Sequence, residues 1–260
     1  MKLDDIRTKI DKIDRELLVL LQERMGLALR TRKYKESVAD PDREASMMDR
    51  IERLNLDLVE RSFTRQLLKT IIEESKRLQQ EERALVAFQG EHGAYGEVAA
   101  RRLVPGGAYI PCLEFVDVIR GVEEGMLDLG VVPVENSLEG AVTQVNDLLT
   151  TTKLHVTGEA KVPVKHCLLA TDGTDYREIR QVYSHPQALA QCRGFLMRNN
   201  LEARPYYDTA GAAKMLAREN PRAAAAIASS LCAELYDLEI IKEGIEDGPS
   251  NFTRFLVLSR

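Results

Sequence analysis

The stretch ALVAFQGEHGAYGE, residues 84–97, marks a change in the character of the chain. It joins a short run typical of a buried strand to a loop that opens a helix. Before it, glycine and proline are scarce and charge is dense. After it, short β-rich runs alternate with helical stretches. We therefore predict an α + α/β protein, with an all-helical domain over 1–83 and an α/β domain of mostly parallel strand pairing over 84–260.

Composition excludes several classes of protein. The formal net charge of −5 gives no basic patch for nucleic acid. No apolar run approaches the about 20 residues of a membrane span, and the charged N-terminus does not resemble a secretory signal. The four cysteines and four histidines show no metal or disulfide spacing. We expect a cytoplasmic protein without a metal, a nucleic-acid partner or a membrane partner.

The helical domain is predicted to hold three helices, over about 3–36, from Pro41 onward after an Asp40 N-cap, and over about 63–82. The first carries an apolar stripe with spacings of three and four: Leu3, Ile6, Ile10, Ile13, Leu17, Leu20 and Leu27. A helix of about 50 Å is longer than such a domain can cover, which predicts a dimer that shares it. On the second helix we expect an inner face made of Met47, Ile51, Leu54 and Leu58.

Arg24 occupies a position of the first apolar stripe, and Ser75 and Gln79 continue the stripe of the third helix. An unpaired buried guanidinium is costly, so Arg24 must meet an anion. The ordinary explanations are an internal salt bridge with Glu23 or Glu44, or a polar residue that fixes dimer register. The alternative is a pocket in which several cations of these helices bind a small polyanion.

The strings LDDIRTKIDKIDRELLVLLQERM, DPDRE and IIEESKRLQ, with Lys35 between the first two, resemble the all-helical chorismate mutases over about residues 3–80. The resemblance implies rearrangement of the dicarboxylate chorismate to prephenate, without a cofactor, by holding one conformer and stabilising charge on the ether oxygen. It implies catalytic roles for Lys35, Gln79 and Glu44. It implies substrate-binding roles for Arg24, Arg43, Asp40 and Ser75, and for Arg7 of the partner subunit. Taken alone, Glu44 is an ordinary first-turn acid.

The α/β domain contains two series of strands and helices, which predict two lobes with a ligand cleft between them, as in periplasmic-binding-protein-type folds. The second lobe is predicted over about 163–243. The last strand, about 252–258, returns to the first lobe. We expect it to present Thr253 and Arg254 to the cleft while Phe252, Phe255 and Val257 pack.

Four loops stand where strands lead into helices: HGAYGE, PVENSLEG, SHPQALAQ and DTAGAAK. Such loops aim backbone N–H groups at anions. Each also has an ordinary explanation. Ser184, Asp208 and Thr209 are common caps, His185 suits a helix start at the surface, and Glu135 suits an ion pair with a lysine.

Together the strings FQGEHGAYGE, PVENSLEG, SHPQALAQC, DTAGAA, AAIAS and NFTRFLVL resemble the prephenate dehydratases over about residues 84–260. The resemblance implies loss of the ring hydroxyl and of CO₂ from prephenate, which needs a donor at the leaving oxygen. It places Thr253 there, with Glu135 as one candidate proton source. It implies that Asn136, Ser137 and Gln187 hydrogen-bond the substrate, that Arg254 holds a carboxylate or braces Thr253, and that Ser184, His185 and Thr209 make further contacts.

The two resemblances predict a bifunctional enzyme of phenylalanine biosynthesis that converts chorismate to phenylpyruvate. A two-lobed solute-binding protein with a helical dimeriser, and an arogenate dehydratase, are the rival hypotheses. Relatives of this kind usually continue into an ACT-type regulatory domain after the T-R-F segment, and this sequence stops at Arg260. We therefore expect that phenylalanine shifts neither the activity nor the melting temperature of this chain.

Overall fold

The computed structural model describes residues 3–35, 37–54, 57–248 and 251–260. The chain divides into two compact units, Met1–Arg83 and Ala84–Arg260. The first contains helices and the second contains two β-sheets with helices. Within the described ranges, no helix combines the length and the apolar character needed to cross a bilayer.

Unit 1 consists of three helices, α1 (Leu3–Thr31), α2 (Pro41–Glu52) and α3 (Arg61–Gln80). The start of α2 is as predicted, because the Asp40 side chain accepts a hydrogen bond from the Arg43 N–H and proline occupies the first turn. α1 packs on α3 near its C-terminal end, where Leu29 is buried. The N-terminal part of α1 leaves its stripe uncovered within this chain.

Two helix boundaries in unit 1 differ from the prediction. α1 ends at Thr31, not near 36, because the next three N–H groups bond three residues back, as in a tightened last turn. Lys35 therefore lies in a loop. α2 ends at Glu52, so Leu54 and Leu58, 55% and 99% exposed, do not belong to its inner face. The expectation for these two leucines was wrong.

The stripe of α1 stays exposed in the single chain. Its seven apolar residues are 38–61% exposed: Leu3, Ile6, Ile10, Ile13, Leu17, Leu20 and Leu27. Apolar surface arranged at helical spacing over most of a helix of about 44 Å is unusual for a face in contact with water. The face is therefore one on which another helix could pack.

The first lobe of unit 2 is built on a sheet in the order β2-β1-β3-β11-β5, with β4 beside β3. Its elements are β1 (Leu85–Gln89), α4 (Tyr95–Leu103), β2 (Ala108–Cys112), α5 (Phe115–Glu123), β3 (Leu129–Asn136), β4 (Gly140–Ala141), α6 (Thr143–Thr151), β5 (His155–Pro163) and β11 (Phe252–Ser259). The second lobe lies between β5 and β11 in the sequence. The final strand thus returns to the first sheet, which confirms that expectation.

The second lobe is built on a sheet in the order β10-β6-β9-β7-β8. Its elements are β6 (Cys167–Thr171), β7 (Gln181–Ser184), α7 (Pro186–Gln191), α8 (Arg193–Arg198), β8 (Glu202–Pro205), α9 (Thr209–Glu219), β9 (Ala224–Ala228), α10 (Ser230–Tyr236) and β10 (Leu238–Glu243). The helical segment after β7 consists of two helices, α7 and α8, separated at the buried Cys192. There the Asp247 N–H bonds the Gln191 carbonyl and its carboxylate accepts from the Gly194 N–H.

Strand pairing is mixed, so the prediction of mostly parallel sheets was wrong. β1 pairs in parallel with β2 and β3, and β7 with β8 and β9. β11 is antiparallel to β3 and β5, and β6 is antiparallel to β9 and β10. The cause is that the chain crosses between the lobes twice, after β5 and before β11. A strand that returns to a sheet at the end where another strand left it runs antiparallel to that strand, as β11 does to β5.

β11 presents alternating side chains to the two faces of its sheet. Thr253, Phe255 and Val257 are buried on one face. Arg254 points to the other face, where its guanidinium lies 3.7 Å from Glu135 Oε2 and 3.6 Å from Glu159 Oε2. The expectation that β11 presents both Thr253 and Arg254 to the cleft was therefore wrong for Arg254, since neighbouring strand residues point to opposite sides.

The loop before α4 joins the two lobes. Ser229 Oγ of the second lobe donates to the Gly93 carbonyl at 2.6 Å, and the Tyr236 hydroxyl donates to the His92 carbonyl at 2.8 Å. Gly93 has a φ of +92°, and a Cβ at this position would overlap the Cys232 Sγ. Both the backbone conformation and the close approach require glycine here.

We expect Gly93→Ala to destabilise the chain more than Gly106→Ala. Gly106 also has a positive φ, +79°, but a Cβ there would meet nothing within 4 Å. The control should cost about 1 kcal/mol of unfolding free energy from backbone strain alone. Gly93→Ala should cost about 1–3 kcal/mol more through overpacking. Urea unfolding followed by circular dichroism measures the difference, and equal losses in the two variants would contradict the proposed overlap.

Candidate active sites

A cavity of about 530 Å³ lies between the two lobes of unit 2. From the first lobe it is lined by β3, β11 and the start of α4, and from the second lobe by α7 and the start of α9. Its size is that of a site for a small molecule. Among the predicted site residues, those that line it are Asn136, His185, Gln187, Thr209 and Thr253.

Thr253 and Asn136 meet across the β3–β11 pair at the cavity wall. Asn136 Oδ1 accepts hydrogen bonds from the N–H groups of Leu138 and Glu139, at 3.0 and 3.2 Å. This fixes the amide so that Nδ2 faces Thr253 and donates to its Oγ1 at 2.9 Å. Because the Thr253 oxygen accepts this bond, the hydroxyl hydrogen is available to a partner in the cavity. The pair is a positioned hydroxyl donor.

A chain of polar contacts extends from Asn136 into the second lobe. Asn136 Nδ2 also donates to Asn251 Oδ1 at 3.0 Å, and Asn251 Nδ2 donates to Gln191 Oε1 at 3.1 Å. His166 Nε2 lies 2.7 Å from the same Gln191 oxygen, which assigns the proton to Nε2. Burial lowers the pKa of His166, so the ring is neutral near neutral pH. The chain connects the two lobes at the cavity.

Asp208 brings an acid to the cavity. Its Oδ1 caps α9 by accepting from the Gly211 N–H at 2.7 Å, and the residue lines the cavity beside Thr209. Burial raises the pKa of this carboxyl, and the nearby charge of Glu91 adds to the effect. A carboxyl with a raised pKa that lines a cavity is a candidate proton donor.

Four predicted site residues do not line the cavity. Ser184 is fully buried and its hydroxyl donates to the Ile227 carbonyl at 2.7 Å. Ser137 Oγ accepts from the Phe252 N–H at 3.0 Å and so braces β11. Glu135 pairs with Arg254 on the sheet face opposite to Thr253. This placement argues against Glu135 as the proton source and against a carboxylate-binding or Thr253-bracing role for Arg254.

Sequence reasoning missed Gln191, His166 and Asn251 as parts of the site. Gln191 lies four residues after Gln187, so both share one face of α7, and this spacing could have revealed it. Asn251 lies two residues before Thr253, at strand spacing. His166 carries no local signal, because its partner Gln191 lies 25 positions further along the chain.

The loop that opens α4 is held by the buried carboxylate of Glu97. Its Oε2 accepts from the Gly93 N–H at 2.8 Å and lies 3.1 Å from His92 Nδ1, while Oε1 accepts from Arg101 Nη2 at 2.7 Å. Burial alone would raise the pKa of Glu97, but His92, the Gly93 N–H and Arg101 outweigh burial and lower it. The charged form is therefore the one that the fold stabilises.

We expect Glu97 to make the stability of the chain depend on acid pH. Because its folded pKa is below the ordinary value of 4.5, its contribution is complete above that pH and is lost as the pH falls through the folded pKa. Glu97→Gln should cost about 1–3 kcal/mol of unfolding free energy at pH 7. It should also reduce the loss of unfolding free energy as the pH falls. Unfolding curves from pH 7 to pH 3 measure this. An equal loss in the variant and the wild type would contradict it.

Arg24 in unit 1 lies half-buried beside Ser75. Its Nη1 donates to Ser75 Oγ at 2.6 Å, and Ser75 Oγ donates to the Ile71 carbonyl at 2.7 Å. Burial lowers the pKa of Arg24, and no carboxylate of the described residues forms an ion pair with it. Glu44 pairs with Lys76 instead, at 2.7 Å, so an Arg24–Glu44 salt bridge was the wrong expectation.

Gln79 lies one turn after Ser75 on α3. Its Nε2 donates to the Ala28 carbonyl at 2.8 Å, and its Oε1 is buried without a hydrogen-bond partner. A buried orphan acceptor near a guanidinium that lacks a carboxylate is costly unless a ligand completes the hydrogen bonds. These groups form an incomplete polar site on the α1–α3 contact.

The remaining predicted residues of unit 1 are Lys35, Asp40, Arg43 and Arg7. Lys35 Nζ pairs with Asp40 Oδ2 at 3.2 Å, and the exposed Arg43 lies in the first turn of α2. Arg7 lies seventeen residues before Arg24 on the same helix. The separation is about 25 Å along the axis, so Arg7 of the same chain does not reach the site.

Unit 2 is by its architecture a two-lobed α/β domain that encloses a small-molecule cavity between its lobes. The family model for prephenate dehydratase matches residues 86–260, and the model for chorismate mutase type II matches residues 6–80. The chain belongs to the family of bifunctional chorismate mutase/prephenate dehydratases.

Some curated relatives match only about two thirds of the chain, and another matches nearly all of it. The arogenate dehydratase/prephenate dehydratase 2 of Arabidopsis thaliana is 46% identical over 68% of this chain and 47% of its own length. The bifunctional chorismate mutase/prephenate dehydratase of Enterobacter agglomerans is 34% identical over 98% of this chain and 71% of its own length. The chain thus spans about half the length of the dehydratase relatives.

Solved structures match the α/β unit. A prephenate dehydratase from Arthrobacter aurescens in complex with L-Phe has a TM-score of 0.61 and 35% identity, covering 68% of this chain and 60% of that one. GqqA, described as a novel type of quorum-quenching acylase, has a TM-score of 0.63 and 39% identity, covering 68% and 64%.

Proposed function

We propose that this chain rearranges chorismate to prephenate in unit 1 and converts prephenate to phenylpyruvate in the cavity of unit 2. The observation that carries the proposal is the hydrogen-bonded Asn136–Thr253 pair, which lines a cavity of small-molecule size. Family membership and the incomplete cationic site of unit 1 support the first reaction. The protein would act in phenylalanine biosynthesis in the cytoplasm and use no cofactor.

In unit 1, the Claisen step needs no proton transfer and no nucleophile. Arg24 and Arg43 bind the carboxylates of chorismate, and Ser75 adds a hydroxyl beside Arg24. Lys35 and Gln79 face the ether oxygen, where negative charge grows as the C–O bond breaks. Glu44 and Asp40 bind the ring hydroxyl. Binding the chair-like conformer lowers the entropy cost of reaching the transition state.

A second copy of the chain completes this site. The exposed stripe of α1 supports a homodimer in which two such helices pack together, and Arg7 of the partner then supplies the remaining cation. Leu17→Glu should therefore halve the mass measured by light scattering and abolish mutase turnover. Gln22→Glu, outside the stripe, is the control. A wild-type mass equal to one chain would contradict the dimer.

In unit 2, aromatisation of the ring drives the reaction. The bond to the ring carboxylate breaks and releases CO₂, its electron pair moves into the ring, and the C–O bond to the hydroxyl breaks. Thr253 donates a hydrogen bond to the leaving oxygen, and Asp208, in place of Glu135, supplies the proton that makes it water. Gln187, His185 and Thr209 bind the rest of prephenate. The products are phenylpyruvate, CO₂ and water.

The decisive test is an assay of the purified chain with chorismate and with prephenate, followed by the ultraviolet absorbance of phenylpyruvate. We expect product from both substrates. Arogenate, supplied separately, tests the rival dehydratase function through release of phenylalanine. A chain that binds prephenate without turning it over would support the solute-binding alternative and overturn the proposal.

A further inference from the structure

The second lobe contains another cavity, of about 480 Å³, that shares no lining residue with the cleft. It lies between β10, α8 and the short 3₁₀ turn Tyr176–Glu178. Its volume is close to that of the cleft and within the range of small-molecule sites.

The base of this cavity is apolar. Ile179 and Leu168 are buried, and Phe195, Leu201 and Ile241 are half-buried against the same hydrophobic cluster. The Phe195 ring and the branched side chains of Leu201 and Ile241 therefore remain partly open to the cavity. Such a surface favours a ligand with an apolar body, because covering it removes apolar area from water.

The rim of the cavity is cationic. Arg180 Nη1 donates to the carbonyls of Arg177 and Ile179 at 2.6 and 2.8 Å, which fixes the guanidinium and leaves Nε and Nη2 for another acceptor. Lys242 lines the same cavity and has no carboxylate partner among the described residues. None of the described residues that line the cavity is acidic. The local charge therefore attracts an anion.

We propose that this cavity binds a small amphipathic carboxylate, meaning a molecule with a ring or a branched apolar body and one carboxylate. The fixed Arg180 fork and Lys242 hold the carboxylate, and the body covers Phe195 and Leu201. A ligand that also carries an ammonium group is disfavoured, because the rim would place cations next to it. The site does not depend on the reactions proposed for the chain.

The test is a calorimetric titration of the full chain with 3-phenylpropionate. We expect saturable binding, at least tenfold weaker binding of the neutral 3-phenylpropanamide, and no binding of phenethylamine. Lys242→Gln should weaken the binding of 3-phenylpropionate at least fivefold. Lys242→Glu should abolish its binding in this cavity. Lys153→Gln, an exposed lysine outside both cavities, should change nothing.

A variant of the cleft separates the two cavities. Gln187→Ala should not change binding of 3-phenylpropionate in the cavity lined by Lys242, even if the cleft binds the same molecule. The proposal is overturned if the wild type binds no 3-phenylpropionate at millimolar concentration. It is equally overturned if Gln187→Ala removes all binding while Lys242→Glu removes none. Circular dichroism of each variant establishes that the fold is kept.

Discussion

Replacing Arg24 by alanine is expected to lower mutase turnover by about 10²–10³-fold, the loss typical of removing one preorganised donor of a transition state. Arg24 is half-buried and donates to the Ser75 hydroxyl through Nη1, so the rest of its fork can bind a ligand. Alanine removes both the charge and those donors. The rate of chorismate loss measures the effect.

The same variant should keep its dehydratase turnover on supplied prephenate, because Arg24 and the cleft lie in different compact units. Arg77→Ala is a matched control, since Arg77 is an exposed arginine of α3 that pairs with Glu74 and Glu81. Arg24→Lys keeps the charge but loses the fork geometry and should remain impaired. Wild-type mutase turnover in Arg24→Ala would contradict the proposed role of Arg24 in binding chorismate.

Thr253→Val should lower dehydratase turnover by about 10²–10³-fold while mutase turnover stays unchanged. Valine keeps the volume of threonine and removes the hydroxyl that Asn136 orients at 2.9 Å. The leaving oxygen then loses its hydrogen-bond donor. Thr253→Ser retains a hydroxyl and should retain most of the activity. Initial rates of phenylpyruvate formation from prephenate measure the series.

Thr157→Val provides the control for this series, because Thr157 lies on the neighbouring strand β5 and its hydroxyl contacts the Val257 carbonyl, at 3.5 Å. Its turnover should equal that of the wild type. If Thr253→Val also lost mutase turnover with its fold preserved, the two sites would not be separate. If it kept dehydratase turnover, the hydroxyl would have no part in the reaction.

Local patterns predicted much of the fold. The Asp40-Pro41 start of α2 follows from signals within a few residues, and the alternation of strand and helix patterns along the chain indicated the two-lobed α/β architecture. The sense of strand pairing does not follow from local patterns, because it depends on how the chain crosses between lobes. The break of the helix at Cys192 depends on Asp247, which arrives from a distant loop.

The candidate site was less accessible to sequence reasoning. The alternation of side chains on β11 is a local property, and it is sufficient by itself to assign Thr253 and Arg254 to opposite faces of the sheet. The bond between Asn136 and Thr253 joins residues 117 positions apart and leaves no local trace. The same holds for the Glu44–Lys76 pair, 32 positions apart. Loop motifs identify candidate residues of a site, but they do not show which way the side chains point.

The position of β11 in the first sheet has a consequence for how the chain folds during its synthesis on the ribosome. β11, the strand between β3 and β5, is translated only after the entire second lobe. On the ribosome, β3 and β5 therefore emerge with edges that stay unpaired until β11 is made. The helical unit, by contrast, already has all three of its helices once residue 83 is made. The dehydratase half should consequently mature last, and stalled or shortened chains should be prone to edge-to-edge association.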